Sequence, residues 1–204
     1  MSMTRSEPDS DSNPSSRDFL TEPVAEEVHG KLNPHDIRGQ ISAESRFMEI
    51  GPGDLDDVNV VSLLREHMAD MHANSPPESV HALDVDSLKH PSVSFWIARD
   101  KNAVLGCVAL KELSPTHGEV KSMRTSERAR NRGVASELLT YLIRVARERR
   151  YERLSLETGA MEFFEPARSL YRKFGFTRCG PFADYTADSN STFMTRRIGT
   201  RRPA

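Results

Sequence analysis

The chain has 204 residues, enough for one core of ordinary size with an extension beside it. It carries 28 Lys and Arg against 30 Asp and Glu, a net charge of −2, so no global field favours nucleic acid or an anionic membrane surface. No apolar run is long enough to span a bilayer and the N-terminus lacks the apolar stretch of a secretory signal, which leaves a cytoplasmic protein as the expectation.

Residues 1–46 are rich in Ser, Asp, Pro and Asn and then turn acidic at Glu22, Glu26 and Glu27. Their sparse apolar residues follow no period, so this stretch is expected to be a disordered extension, with a short helix over 23–29 as its one structured piece. The domain is expected to run over 47–198, followed by a short basic tail over 199–204. Residues 47–50 read as a first strand. Asp54 closes the Gly51-Pro-Gly turn and is a good N-cap for a helix carrying Val58, Val61, Leu64, Met68 and Met71. His67 and His72 fall on or just past that helix, five apart and roughly 140° around it, not at the i, i+4 spacing of a helical metal pair. With Cys107 and Cys179 far apart as well, no metal site is expected, and both thiols are expected to be isolated and mostly buried.

Ser75-Pro-Pro-Glu78-Ser-Val-His81 breaks the helix and is a polar turn, from which a short second helix could start at Glu78. Two apolar strands follow, 93–99 and 104–111, joined at Asp100-Lys-Asn102, and then an alternating strand over 119–125. Together they predict a three-strand antiparallel meander. From Val134 the period becomes helical: Val134, Leu138, Leu142 and Ala146 form one stripe. A strand over 151–157 comes next, reached by that helical crossover and therefore parallel to its predecessor. A last helix over 164–174, a strand from Phe176, a polar loop over 181–190 and a final strand over 192–198 complete the chain. The fold class is α/β, a central mixed sheet with flanking helices.

The loop Arg128-Ala-Arg130-Asn-Arg132-Gly133 joins a strand to a helix N-terminus. Unpaired amides, the positive end of a helix dipole, a glycine and three arginines coincide there, a combination that binds phosphate or pyrophosphate. Arg130-Asn-Arg-Gly133-Val134-Ala135 fits R-x-x-G-x-A, and Ala167-Arg-Ser-Leu170-Tyr171-Arg-Lys-Phe-Gly175-Phe176 fits A-x-x-L-Y-x-x-x-G-F. In this order and spacing the two resemble signatures of the GNAT N-acetyltransferase superfamily. Over residues 47–198 the wider pattern is similar to its YsnE-like subgroup.

That resemblance implies the GNAT (acyl-CoA N-acyltransferase) fold, a mostly antiparallel sheet in which two parallel strands splay. It implies acetyl-CoA as acyl donor, with its pyrophosphate held by Arg128, Arg130, Arg132, Gly133, Val134, Ala135 and Ser136 and its pantetheine arm paired to backbone near Met123 and Thr125. Tyr171 takes the place of the family's tyrosine, the acid that protonates the departing thiolate. Glu157 is preferred over Glu119 as the base, both lying on the strands expected to splay; an amine arriving neutral would need none. Glu78, His81, Arg124 and Tyr185 border the expected acceptor pocket. The acceptor is expected to be a small-molecule amine. Lys111, Lys121 and Arg124 suit one bearing a carboxylate, whereas Glu78, Glu112 and Glu157 suit a cationic one. A protein lysine or N-terminal acetyltransferase and a non-catalytic acyl-CoA-binding module are the alternatives. Family members often dimerise, so a homodimer is carried as an expectation with no interface identified. One departure stands out: an Asn common three residues before the motif's Ala is Phe164 here.

Overall fold

Seven strands order as β1-β2-β3-β4-β5-β7-β6 in a computed structural model that describes residues 48–199. The expectations for residues 1–46 and 200–204, and for Phe47, lie outside those described. β1 (Glu49–Pro52), β2 (Val93–Asp100), β3 (Ala103–Ser114) and β4 (His117–Thr125) are antiparallel neighbours, so the predicted meander is present with an edge strand added. The crossover helix α3 (Val134–Glu148) makes β5 (Arg153–Gly159) parallel to β4. β7 (Ser191–Arg197) returns antiparallel to β5, with the two-residue β6 (Thr177–Arg178) outside it.

Helices cover both faces of the sheet, which is why β2 and β3 read as near-continuous apolar runs rather than alternating ones. On one face, α1 (Val58–Asn74) and the short α2 (Val85–Leu88) set Val60, Leu63, Leu64 and Leu88 against Phe95, Ile97 and Val104. On the other, α3 and α4 (Glu165–Lys173) pack Leu138, Leu142 and Tyr171 with Trp96, Leu110, Leu156 and Met194.

The start of α1 differs from expectation. Asp57, not Asp54, is the N-cap, its carboxylate accepting from the Asn59 amide at 2.8 Å. β1 runs on to Pro52, so Asp54 falls in the turn instead and accepts from the Asp56 amide at 2.9 Å. The Pro-rich turn forms a 3-10 turn over Pro77–Ser79 rather than a helix from Glu78; α2 begins only at Val85, capped by Asp84. Tyr151 precedes β5 instead of opening it and is buried beneath the sheet, its hydroxyl donating to Glu112 at 2.8 Å. Cys107 is fully buried, but Cys179 is only half-buried. No helix among the described residues is long and apolar enough to cross a membrane.

Candidate active site

β4 and β5 pair only at His117–Arg153, Gly118–Leu154 and Glu119–Ser155, then part. Beyond Glu119 the two strands form an open fork. β4 bends at that point: its register with β3 slips between Cys107 and Ala109, Ser122 adopts φ 45°, and Met123 has no register partner in either neighbouring strand. A bulge at a fork leaves main-chain groups free to meet something other than a strand.

A cleft of about 580 Å³ opens beside the fork, lined by the end of β4, the start of α3, α1 and α4. One end is the N-terminus of α3. Gly133 caps it at φ 83°, a left-handed conformation that L side chains resist. Among the described residues no side chain caps this end, and the amides of Val134, Ala135 and Ser136 lack intrahelical acceptors. A Cβ placed on Gly133 would meet nothing within 4 Å, so its front faces open cleft. Arg124 adds a cation there. It pairs with Asp70, yet its Nε is buried without a partner among the described residues. Such an anchor, with free amides and a guanidinium lining one cleft, fits an anionic phosphate ester.

The other end of the cleft reaches Tyr171, which is 7% exposed. Its hydroxyl donates to the Met123 thioether at 3.5 Å. Burial, and then the Glu157 carboxylate, raise the phenol pKa above its ordinary value, so this group keeps its proton. Past Tyr171 lies an inner chamber of about 90 Å³, lined by His81, Lys121, Ser122 and Glu157 among others. Glu157 accepts from Ser191 Oγ at 2.7 Å, and burial raises its pKa.

Of the residues singled out from sequence, Met123, Arg124, Thr125, Arg130, Gly133, Val134, Ala135, Ser136 and Tyr171 share the cleft. Glu157 and His81 share the chamber with Met123 and Tyr171. Others are placed elsewhere. Arg128 lies on a separate groove with Asn59, Ser62 and Glu66, and Arg132 turns to Asp100 at 3.9 Å, because the 3-10 turn over Glu127–Ala129 and the positive φ at Asn131 and Gly133 fan successive side chains apart. Arg130 borders the cleft but also meets Glu127 at 3.5 Å and Asp70 at 3.9 Å. Glu78 is exposed and lines neither cavity. Glu119, 2% exposed, sits in the paired part of β4 below the fork. It accepts from Tyr185 at 2.6 Å and lies 3.4 Å from Lys121. Lys121 in turn donates to Tyr185 and to the His81 carbonyl, each at 2.7 Å, so Glu119 and Tyr185 belong to a bracing network behind the chamber.

Phe164 faces inward. A Cβ on Gly159 would lie 2.2 Å from its ring, so the aromatic fills the bend between β5 and α4 that the bare glycine leaves. Sequence reasoning missed Arg168, which is 6% exposed and donates to the Gly159 and Met161 carbonyls, tying β5 to α4. It also missed His67 and Asp70. His67 occupies a position in the Val60-Leu64-His67-Met71 stripe where an apolar residue is the norm, a signal legible in the spacing.

A family model described as the acetyltransferase (GNAT) family matches residues 60–176. The chain is 52% identical to the uncharacterized N-acetyltransferase YsnE of Bacillus subtilis over 151 residues, 74% of this chain and 100% of that protein. Among solved structures, an acetyltransferase from Streptococcus agalactiae superposes with a TM-score of 0.59 at 18% identity, covering 76% of this chain and 100% of the other. A GNAT family acetyltransferase from Elizabethkingia anophelis with acetyl-CoA bound gives a TM-score of 0.53 at 17% identity, covering 76% and 100%. These two likenesses concern the fold.

Proposed function

This chain belongs to the GNAT acetyltransferase family, and from that premise we propose that it moves the acetyl group of acetyl-CoA directly to the amine of a small molecule. The observation that carries the proposal is continuity: one cleft leads from the uncapped α3 N-terminus to the Tyr171 phenol and opens there into a chamber holding Glu157. Acetyl-CoA brings an activated thioester; the chain must orient it, accept protons from the amine and return one to sulfur.

Each task has a residue. The amides of Val134, Ala135 and Ser136, with Arg130 at the rim, hold the pyrophosphate. Backbone at Met123 and Thr125, on the edge of β4 that β5 no longer pairs, aligns the pantetheine arm. Tyr171, kept protonated by its surroundings, protonates the thiolate. Glu157, whose raised pKa brings its basicity toward that of the proton it must accept, takes a proton from the incoming ammonium.

A small acceptor is favoured by the chamber's size and by its bracing. His81 lines it and Tyr185 braces it from behind through Lys121, where a peptide substrate would need an open groove. We also propose that the protein works in the cytoplasm, that residues 1–46 are an extension to a catalytic domain over 47–198, and that a homodimer is its assembly. A thiol-release assay with acetyl-CoA and a panel of small amines, diamines and amino acids tests the activity. Turnover of a small amine supports it; turnover of peptides alone, or none in a protein that binds acetyl-CoA, sinks it in favour of the protein-modifying or the non-catalytic reading.

A further inference from the structure

Six residues line both the cleft and the chamber: His67, Met71, Met123, Phe164, Ala167 and Tyr171. They form the throat between donor and acceptor spaces. Two thioethers, a benzyl ring and a methyl group have no proton to exchange at working pH. His67 and Tyr171 are the two that do.

Resting on the acetyl-transfer reading above, we propose that His67 is a second catalytic residue, whose imidazole takes the proton the acceptor nitrogen sheds as the new C–N bond forms. The proton count calls for such a group. An ammonium acceptor carries three protons and the product amide keeps one, so two must leave. Glu157 takes the first and releases it to solvent. The freed nitrogen pair then forms the C–N bond, the C–S bond breaks, and its electron pair departs on sulfur, which takes the Tyr171 proton. His67 takes the second nitrogen proton and passes it across the throat to Tyr171, restoring both groups. The net change is amide, thiol and one proton to solvent.

The ring is held ready for this. Burial and then the Arg124 guanidinium lower the His67 pKa to about 4, with Lys121 acting the same way and Asp70 against them. The charged and titratable groups around the throat are therefore Asp70 from α1, Lys121 and Arg124 from β4, Glu157 from β5, Tyr171 from α4 and His81 from the Pro-rich turn. At neutral pH the imidazole is uncharged with a free lone pair. An anionic donor beside Arg124 and Arg130 offsets their charge and raises the ring's basicity for the step that uses it.

The test compares wild type with His67→Gln and His67→Ala. Acetyl-CoA affinity is read by calorimetry. Turnover is read by thiol release with the fastest amine of the panel; if no amine reacts, the acetyl-transfer reading beneath the proposal fails first. Imidazole nitrogen NMR follows the histidine itself. His67→Gln should bind acetyl-CoA within about twofold of wild type and lose about 100-fold or more in kcat. Added imidazole should restore rate to His67→Ala and not to His67→Gln. The wild-type His67 signals should titrate well below the ordinary histidine range and move upward with CoA bound. A His67→Gln enzyme within about threefold of wild-type kcat overturns the proposal, as does a His67 ring whose signals ignore CoA. Failure of wild type to bind acetyl-CoA at all would instead remove the acetyltransferase reading beneath it.

Discussion

The Tyr185 hydroxyl, in the chain's long polar loop, donates a 2.6 Å hydrogen bond to Glu119, a β4 carboxylate that is 2% exposed. It also accepts from Lys121 at 2.7 Å, so one phenol links both members of a buried ion pair. Burial and the Glu119 charge keep that phenol protonated. Removing the hydroxyl leaves Glu119 short of a partner in a poorly solvated place. Tyr185→Phe should cost about 1–3 kcal/mol of unfolding free energy while acetyl-CoA affinity stays within about twofold. Urea unfolding with parallel calorimetry checks both; an unchanged stability would mean the network does no bracing.

The contrast between Glu119 and Glu157 explains much of what was legible in the sequence. Two strands joined by an amphipathic helix announced a parallel pair, and both glutamates sat on it. How far the pair stays joined depends on the bulge at Ser122 and on Phe164 filling the bend at Gly159, neither of which has a local signature. Glu119 lies at the last paired register and Glu157 beyond it, so one became structural and the other lines the chamber. The arginine-rich loop shows the same limit. R-x-x-G-x-A located the helix N-terminus and the glycine, but composition does not say where each arginine points. Asp54 and Asp57 are equally good caps by type, and strand length chose between them.

Glu157→Gln should separate activity from stability. Burial raises the folded-state pKa of Glu157 above the unfolded value, so the folded state binds more protons and wild-type stability falls as pH rises through that window. Glutamine still accepts from Ser191 but carries no charge to desolvate. The variant should therefore gain on wild type between pH 4.5 and pH 7, while losing about 100-fold or more in rate. Urea unfolding at the two pH values reads the first effect and thiol release the second. A stability difference independent of pH would contradict the burial argument.

Tyr171→Phe should keep acetyl-CoA affinity and lose about 100-fold in kcat. Because burial holds the wild-type phenol above its ordinary value of 10, its ionisation should impose no loss of rate between pH 7 and 9. A wild-type alkaline limb in that range, absent from the variant, would contradict this placement of the proton.

Three alanine variants resolve the loop. Arg130→Ala should weaken acetyl-CoA binding by about tenfold, the loss of one charge-assisted contact. Arg128→Ala and Arg132→Ala should stay within about twofold, since those side chains face a separate groove and Asp100. Calorimetry at low and moderate salt checks the order, and equal losses for all three would show that the loop rearranges around its ligand.

The most direct test is calorimetry of the purified protein with acetyl-CoA, CoA and ATP, beside Gly133→Val. A valine at a left-handed position costs about 1–2 kcal/mol of folding energy, and its side chain enters the open front of the α3 N-terminus. Pyrophosphate binding at the α3 N-terminus predicts dissociation constants on the order of micromolar for acetyl-CoA and CoA, no binding of ATP, and loss of CoA binding in a Gly133→Val protein that remains folded. No binding of acetyl-CoA by wild type, or undiminished binding by the folded variant, would contradict it.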